Sequence, residues 1–173
     1  MIQFIIYTDW SCIGNPWPGG WAYVLLDWNR VIHQDSWAIS QTTNNQMELY
    51  ACIQALTYMI AHYPHQACIL YTDSRYVQTW LEYLPRRQTQ WWKTSARKPV
   101  KNQSLRLILS DLSAQYQIDR RRVQAHHISV HNNQVDLMAR QQAVYAQCHP
   151  QLTLCLPDEY QSMSIQPAGL FDI

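Results

Sequence analysis

Ala67-Cys68-Ile69-Leu70-Tyr71-Thr72-Asp73 is an apolar run that closes on Thr-Asp, and it decides the fold. Its length suits a buried strand rather than a helix. Upstream, Leu49, Ile53, Leu56, Ile60 and Tyr63 recur at helical spacing from Asn45 to Tyr63, and Pro64 ends the run. Further upstream, Ile2-Gln3-Phe4-Ile5-Ile6-Tyr7-Thr8-Asp9 repeats the strand pattern and the Thr-Asp ending, and predicts a strand buried on both faces. Strand, helix and strand in this order predict a parallel pair joined by a right-handed crossover. If the two strands are neighbours, Asp9 and Asp73 face each other across about 5 Å.

The rest of the chain fits around that unit. Three of the four glycines fall in Gly14-Asn15-Pro16-Trp17-Pro18-Gly19-Gly20, which predicts one flexible loop. Trp21 to Trp28 and Val31 to Ser40, separated by Asn29-Arg30, predict a hairpin. Residues 85 to 104 are basic, polar and broken by Pro85 and Pro99, and predict a protruding loop or short helix. Leu105, Ile108, Leu109 and Leu112 mark an amphipathic helix, Val123 to His126 a short strand, and Gln134 to Gln147 a final helix. The expected architecture is α/β, a five-stranded mixed sheet of three antiparallel strands with parallel additions, flanked by helices. Residues 1–147 form the expected domain. Residues 148–173, with three prolines and no Lys or Arg, form the expected C-terminal tail.

Composition narrows the class. The chain has 173 residues, 47% apolar, in short runs that exclude a transmembrane helix of about 20 residues. Met1-Ile2-Gln3-Phe4 offers no basic segment or cleavage site of a secretory signal. Cys12, Cys52, Cys68, Cys148 and Cys155 are odd in number and without a C-x-x-C pair, which favours reduced thiols over disulfides or structural zinc. These features predict a soluble, cytoplasmic protein, without a membrane partner and expected to be monomeric. The net charge of +1 conceals a division. Residues 86 to 122 hold ten of the thirteen basic side chains against Asp111 and Asp119, a local net of +8, while the remainder carries three basic and ten acidic residues, a net of −7. A basic stretch of this kind suits a polyanion.

Four acids stand out by position: Asp9 and Asp73 at two strand ends, Glu48 in the first turn of the long helix and Asp136 in the first turn of the last one. Taken singly, each has a plain structural use. Asn45-x-x-Glu48 and Asn133-x-x-Asp136 fit helix capping, and Asp73 could cap a helix starting at Ser74. Together they converge where an open α/β sheet gathers its chemistry. Carboxylates so crowded resist joint ionisation, and Mg²⁺ or Mn²⁺ is their natural counterion. Two such ions are the known device for phosphodiester hydrolysis.

In its motifs the sequence resembles the type 1 ribonuclease H family over about residues 3 to 147. The motifs are Thr8-Asp9-Trp10-Ser11-Cys12-x-Gly14-Asn15-Pro16-x-Pro18-Gly19-Gly20-Trp21, Thr43-Asn44-Asn45-Gln46-Met47-Glu48-Leu49 and Tyr71-Thr72-Asp73-Ser74-x-Tyr76-Val77. With them come Trp92-Lys93-Thr94 followed by Lys98-Pro99-Val100-Lys101-Asn102, and Val135-Asp136-x-x-Ala139-Arg140. The resemblance implies a ribonuclease H-like fold and an endonuclease that hydrolyses the RNA strand of RNA–DNA hybrids, leaving 5′-phosphate and 3′-hydroxyl ends. It implies Asp9, Glu48, Asp73 and Asp136 as ligands of two Mg²⁺ ions, with Mn²⁺ as substitute. His126, ten residues before Asp136, matches a mobile catalytic histidine that orients water or aids product release. Cys12, Asn15, Asn44 and Asn45 match contacts to the RNA strand, where amides can test the 2′-hydroxyl as donor and acceptor. Thr43 and Asn102 match a pocket for a DNA phosphate, and Tyr83 an aromatic against a DNA sugar. Trp92, Lys93, Arg97, Lys98 and Lys101 match the basic protrusion that meets the phosphate backbone, with little sequence preference.

Three positions depart from the family pattern. Trp10 and Trp17 replace small residues beside the RNA groove, where they could crowd it or stack on it. Arg75 stands where an amide is common, and the stretch from His127 to Val135 lacks the usual glycines. The alternatives are a hybrid-binding paralogue with weak nuclease activity and a related nuclease acting on DNA. Gln166-Pro167-Ala168-Gly169-Leu170-Phe171-Asp172-Ile173 loosely resembles peptides that dock on DNA sliding clamps, although a frayed or self-packed terminus is the stronger expectation.

Overall fold

A computed structural model of the chain describes residues 4–14, 17–89, 101–115, 117–122, 129–157 and 160–161. In chain order the elements are β1 (Phe4–Cys12), β2 (Trp17–Asp27), β3 (Arg30–Thr42), α1 (Asn44–His62), β4 (Cys68–Thr72), α2 (Arg75–Thr89), α3 (Gln103–Ala114), β5 (Ile118–Arg122) and α4 (Val130–Gln147). The strands form one sheet in the order β3-β2-β1-β4-β5. β1, β2 and β3 are antiparallel, and β4 and β5 add in parallel, as the sequence predicts.

The two Thr-Asp strands are neighbours. Phe4 lies opposite Cys68 and Tyr7 opposite Tyr71, so continuing the register by two residues sets Asp9 level with Asp73. β1 runs on to Cys12 against β2 after its pairing with β4 has ended. Both aspartates stand just beyond the last β1–β4 pair, Tyr7 opposite Tyr71.

Strand alternation divides the core in two. Phe4, Ile6, Trp21, Tyr23 and Leu25 pack with Leu49, Ile53, Leu56 and Met59 of α1 and with Leu105, Ile108, Leu109 and Leu112 of α3. Ala22, Val24 and Leu26 pack on the opposite face against Val135 and Ala139 of α4, with Ile5 and Tyr7 half-buried beside them. β1 is therefore buried on the α1 face and half-covered on the other, rather than fully buried on both.

Several elements begin or end elsewhere than predicted. The hairpin turns at Trp28-Asn29, one residue earlier than expected, because Asp27 pairs with Arg30 and Trp28 takes the left-handed turn conformation at φ 55°. Gly19 and Gly20 lie inside β2 rather than in a loop. A Cβ on Gly20 would collide with the carbonyl oxygen of Ala139 and lie 2.5 Å from Gln142 Cβ, so this glycine lets α4 approach the sheet. Pro85 does not end α2, which continues to Thr89. β5 is formed by Ile118-Asp119-Arg120-Arg121-Arg122, whose charge hid it. It is an edge strand, where charged side chains are tolerated and discourage further pairing. The predicted strand at 123–126 lies outside the described residues.

The first part of the tail lies on the domain. Ser40 N–H donates to the Leu152 carbonyl at 2.9 Å, Ser40 Oγ donates to the Pro150 and Leu152 carbonyls, and Leu156 joins the core. Residues 166–173, with the clamp-like peptide, lie outside the described residues. Among the described residues no helix is long and apolar enough to cross a membrane.

Candidate active site at the strand ends

Hydroxyl residues, not the acids, cap the helices around the site. Thr43 caps α1: its side chain accepts from Gln46 N–H, and Gln46 Oε1 accepts from Thr43 N–H. Ser74 Oγ accepts from Val77 N–H at 3.0 Å in the first turn of α2. Ser129 caps α4, accepting from Asn132 N–H. The capping roles open to Glu48, Asp73 and Asp136 on sequence are thus filled. Glu48 and Asp136 also lie in the second turns of α1 and α4 rather than the first, because the helices start at Asn44 and Val130.

The four acids share one electrostatic field. Burial pushes the Asp9 carboxyl up to about 7; the Trp10 N–H and the Arg140 charge oppose the rise, and the charges of Asp73 and Asp136 add to it. Burial likewise raises Glu48 to about 7, opposed by the Ser74 hydroxyl and reinforced by Asp73. Both values lie far above the ordinary carboxylate range, as expected for buried acids facing like charges.

Hydrogen bonds hold Asp9, Glu48 and Asp136 locally. Asp9 Oδ1 accepts from Trp10 N–H at 2.7 Å, Glu48 Oε2 accepts a short hydrogen bond from Ser74 Oγ, and Asp136 Oδ1 accepts from Arg140 Nε at 2.8 Å. As placed, no three His, Cys, Asp or Glu side chains among the described residues form a ready ligand set for one ion. The site is a converged acidic field in which each of these hydrogen bonds engages one carboxylate oxygen. Its donor chemistry fits a hard divalent cation: all donors are carboxylate oxygens, and a cation relieves the repulsion and burial that hold Asp9 and Glu48 near 7.

Some of the other predicted residues fall on the elements that carry the acids or beside them. Asn44 and Asn45 are the first residues of α1, half-buried, one turn before Glu48. Thr43 is buried, its hydroxyl turned to its capping role. Cys12 is half-buried at the end of β1 and paired with Gly19; burial, helped by Glu48, pushes its thiol up to about 12 and keeps it protonated. Arg75 is exposed at the start of α2, and Lys101 is exposed beside Asn102. Asn102 takes a left-handed conformation at φ 54° before α3, and its Nδ2 donates to Tyr76 Oη at 3.0 Å. Tyr83 falls within α2, its side chain outside what is described. Asn15, Trp92, Lys93, Arg97, Lys98 and His126 lie outside the described residues.

Sequence reasoning missed three contributors. Ser74 bonds Glu48 while capping α2, and Arg140 pairs with Asp136. The signal for Ser74 was a hydroxyl directly after a strand-ending aspartate. For Arg140 it was a cation four residues after an acid on a helix. Tyr76 is a third: its ring lies 4.5 Å from the Arg106 guanidinium, which also stands 4.3 Å over Trp80, so the start of α2 is tied to α3 beside Asn102.

A mixed sheet in the order 3-2-1-4-5, with acids where its central strands end, defines the class of ribonuclease H-like α/β folds. The family model for RNase H matches residues 2–144, and the chain belongs to that family. It is similar to the ribonuclease H of Cyanothece sp. (strain PCC 7425), 40% identical over 136 residues, 78% of this chain and 85% of that one. It is similar also to the ribonuclease H of Ehrlichia chaffeensis, 41% identical over 145 residues, 82% and 95% of the two chains. Among solved structures, LC9-RNase H1, described as a type 1 RNase H with the type 2 active-site motif, shares the fold at a TM-score of 0.73 and 19% identity, covering 97% of this chain and 94% of that one. LC11-RNase H1, solved in complex with an RNA/DNA hybrid, matches at a TM-score of 0.59 and 23% identity, covering 83% and 99%.

Proposed function

We infer that this chain is an endoribonuclease that hydrolyses the RNA strand of RNA–DNA hybrids and leaves 5′-phosphate and 3′-hydroxyl ends. The observation that carries the reading is the convergence of Asp9, Glu48, Asp73 and Asp136 in one field while hydroxyls fill the capping roles around them. Asp9, Glu48, Asp73 and Asp136 would hold the divalent metal, two Mg²⁺ ions with Mn²⁺ able to substitute. The chemistry such ions would supply there is activation of a water and neutralisation of charge on the leaving oxygen.

The chain's own residues then have separate tasks. Trp10 N–H and Ser74 Oγ fix the carboxylates of Asp9 and Glu48, and Arg140 holds Asp136 from the outer side. Cys12, Asn15, Asn44 and Asn45 meet the RNA strand, the amides sensing the 2′-hydroxyl. Thr43 and Asn102 hold a DNA phosphate, Tyr83 packs on a DNA sugar, Trp92, Lys93, Arg97, Lys98 and Lys101 meet the phosphate backbone, and Arg75 is a further substrate contact. His126, ten residues before Asp136 in the sequence, assists water or product. We place the enzyme in the cytoplasm as a monomer.

The test compares cleavage of a hybrid, duplex DNA and duplex RNA in Mg²⁺, in Mn²⁺ and with chelator. The expected result is cleavage of the hybrid alone, within its RNA strand, abolished by chelator. Cleavage of duplex DNA at a comparable rate would contradict the reading.

A further inference from the structure

Beside the glycine turn lies a groove of about 330 Å³ that the reaction does not use, lined by Trp17, Pro18, Ser40, Gln41, Ala146, Gln147 and Pro150. Its wall is an aromatic plate. Trp17 is 57% exposed, yet its indole is seated against the turn: a Cβ on Gly14, which stands at φ 95°, would lie 2.6 Å from Trp17 Cγ and Nε1. Only a residue without a side chain lets the ring settle there, and the ring remains open on its outer side. Ser40 is occupied by the Pro150 and Leu152 carbonyls, which fixes the groove floor. Gln41 and Gln147 are exposed at the rim, and each side-chain amide offers both donors and an acceptor. No lining residue carries a charge.

We propose that this groove is a nucleobase subsite: Trp17 stacks on an unpaired base of the RNA strand beyond the hybrid, and Gln41 and Gln147 meet the base edge. A flat, uncharged aromatic plate with amides beside it suits a base rather than a phosphate, and stacking on tryptophan accepts any base. Continuity with the active site favours nucleic acid as the occupant. Trp17 pairs with Thr42, adjacent to Thr43, and Pro18 accepts from Ile13 N–H at 2.9 Å across the turn proposed to meet RNA. Asp9 is level with Ala22, four residues along β2 from Pro18, which is roughly 13 Å, or about four base steps. The subsite therefore receives a base displaced from the cleavage point. It rests on the hybrid-cleaving activity proposed above.

The experiment measures affinity of Asp73→Asn protein, expected to keep binding and lose cutting, for a blunt hybrid, the same hybrid with a four-nucleotide RNA extension at either end, and an extension of abasic residues. One of the two extensions is expected to tighten binding about fivefold or more, the abasic form not at all, and Trp17→Ala to erase the preference while Trp17→Phe retains part of it. Far-UV and thermal profiles of both variants confirm folding. Equal affinity for blunt and both extended hybrids, or tightening that survives Trp17→Ala or occurs with abasic residues, overturns the proposal. Wild-type cleavage of the blunt hybrid is run in parallel, because its loss would overturn the hybrid-cleaving reading instead.

Discussion

The two faces of the sheet hold their helices in different ways, and β2 displays both. Trp21, Tyr23 and Leu25 face α1 with large side chains, whereas Gly20, Ala22 and Val24 face α4 with small ones. α1 stands off the sheet on a thick layer of leucine, isoleucine and methionine, and carries Glu48 toward the strand ends. α4 lies almost on the backbone, with Ala139 and Ala143 against Gly20, and carries Asp136 to the same place. The thick face supplies most of the buried apolar surface and hence most of the stability. The thin face sets the position of an acid within narrow tolerance, because close-packed backbone has no side chain to absorb a shift.

Substitutions on either face separate these roles. Leu56→Ala on the thick face is expected to cost about 2–5 kcal/mol of stability in chemical denaturation, with kcat little changed where the protein is folded. Gly20→Ala on the thin face is expected to cost less stability, about 1–3 kcal/mol, but to lower kcat by displacing α4 and Asp136. The reverse pattern, activity lost in Leu56→Ala and kept in Gly20→Ala, would remove the distinction.

A pH series sharpens the same comparison at the site. Asp9 and Glu48 both titrate near 7 in the folded protein, above their unfolded values, so the folded state binds their protons more tightly. That contribution is fully present below about pH 4 and is lost as the pH rises to about 7. Thermal unfolding of the metal-free protein is therefore expected to show these acids eroding stability between pH 4 and 7. Added Mg²⁺ is expected to raise Tm at pH 8 and not at pH 4; equal effects at both would contradict it. The smallest effect belongs to Arg140→Gln. Its exposed pair with Asp136 is worth a few tenths of a kcal/mol at most, so Tm is expected to stay nearly constant.

The sheet was legible because Ile2 to Asp9 and Ala67 to Asp73 are apolar, β-prone and end alike, and because Leu49 to Tyr63 keeps helical spacing. What escaped was decided by partners distant in sequence. β5 is charged, and only its place at the edge makes Asp119 and Arg121 acceptable in a strand; they pair with each other at 2.8 Å. Gly19 and Gly20 looked like a loop because their neighbours, Thr42, Cys12 and Ala139, are brought in by the fold. Thr43 and Ser129 cap helices where Asn45 and Asn133 also fitted the pattern, since a cap depends on where the backbone enters the helix. Leu156 reads as tail but packs into the core, because a single apolar residue without periodicity carries no signal of burial.

The carboxylates were legible as a set, and their local holds by Trp10, Ser74 and Arg140 were not. The central claim is that this set performs the chemistry and is not structural. Asp73→Asn tests it most directly, since Asp73 is exposed and level with Asp9, and Ser74 rather than Asp73 caps α2. The account predicts an unchanged Tm, retained hybrid binding and a loss of hybrid cleavage on the order of a hundredfold to a thousandfold in Mg²⁺. Cleavage at the wild-type rate, or a loss explained by unfolding, would contradict it.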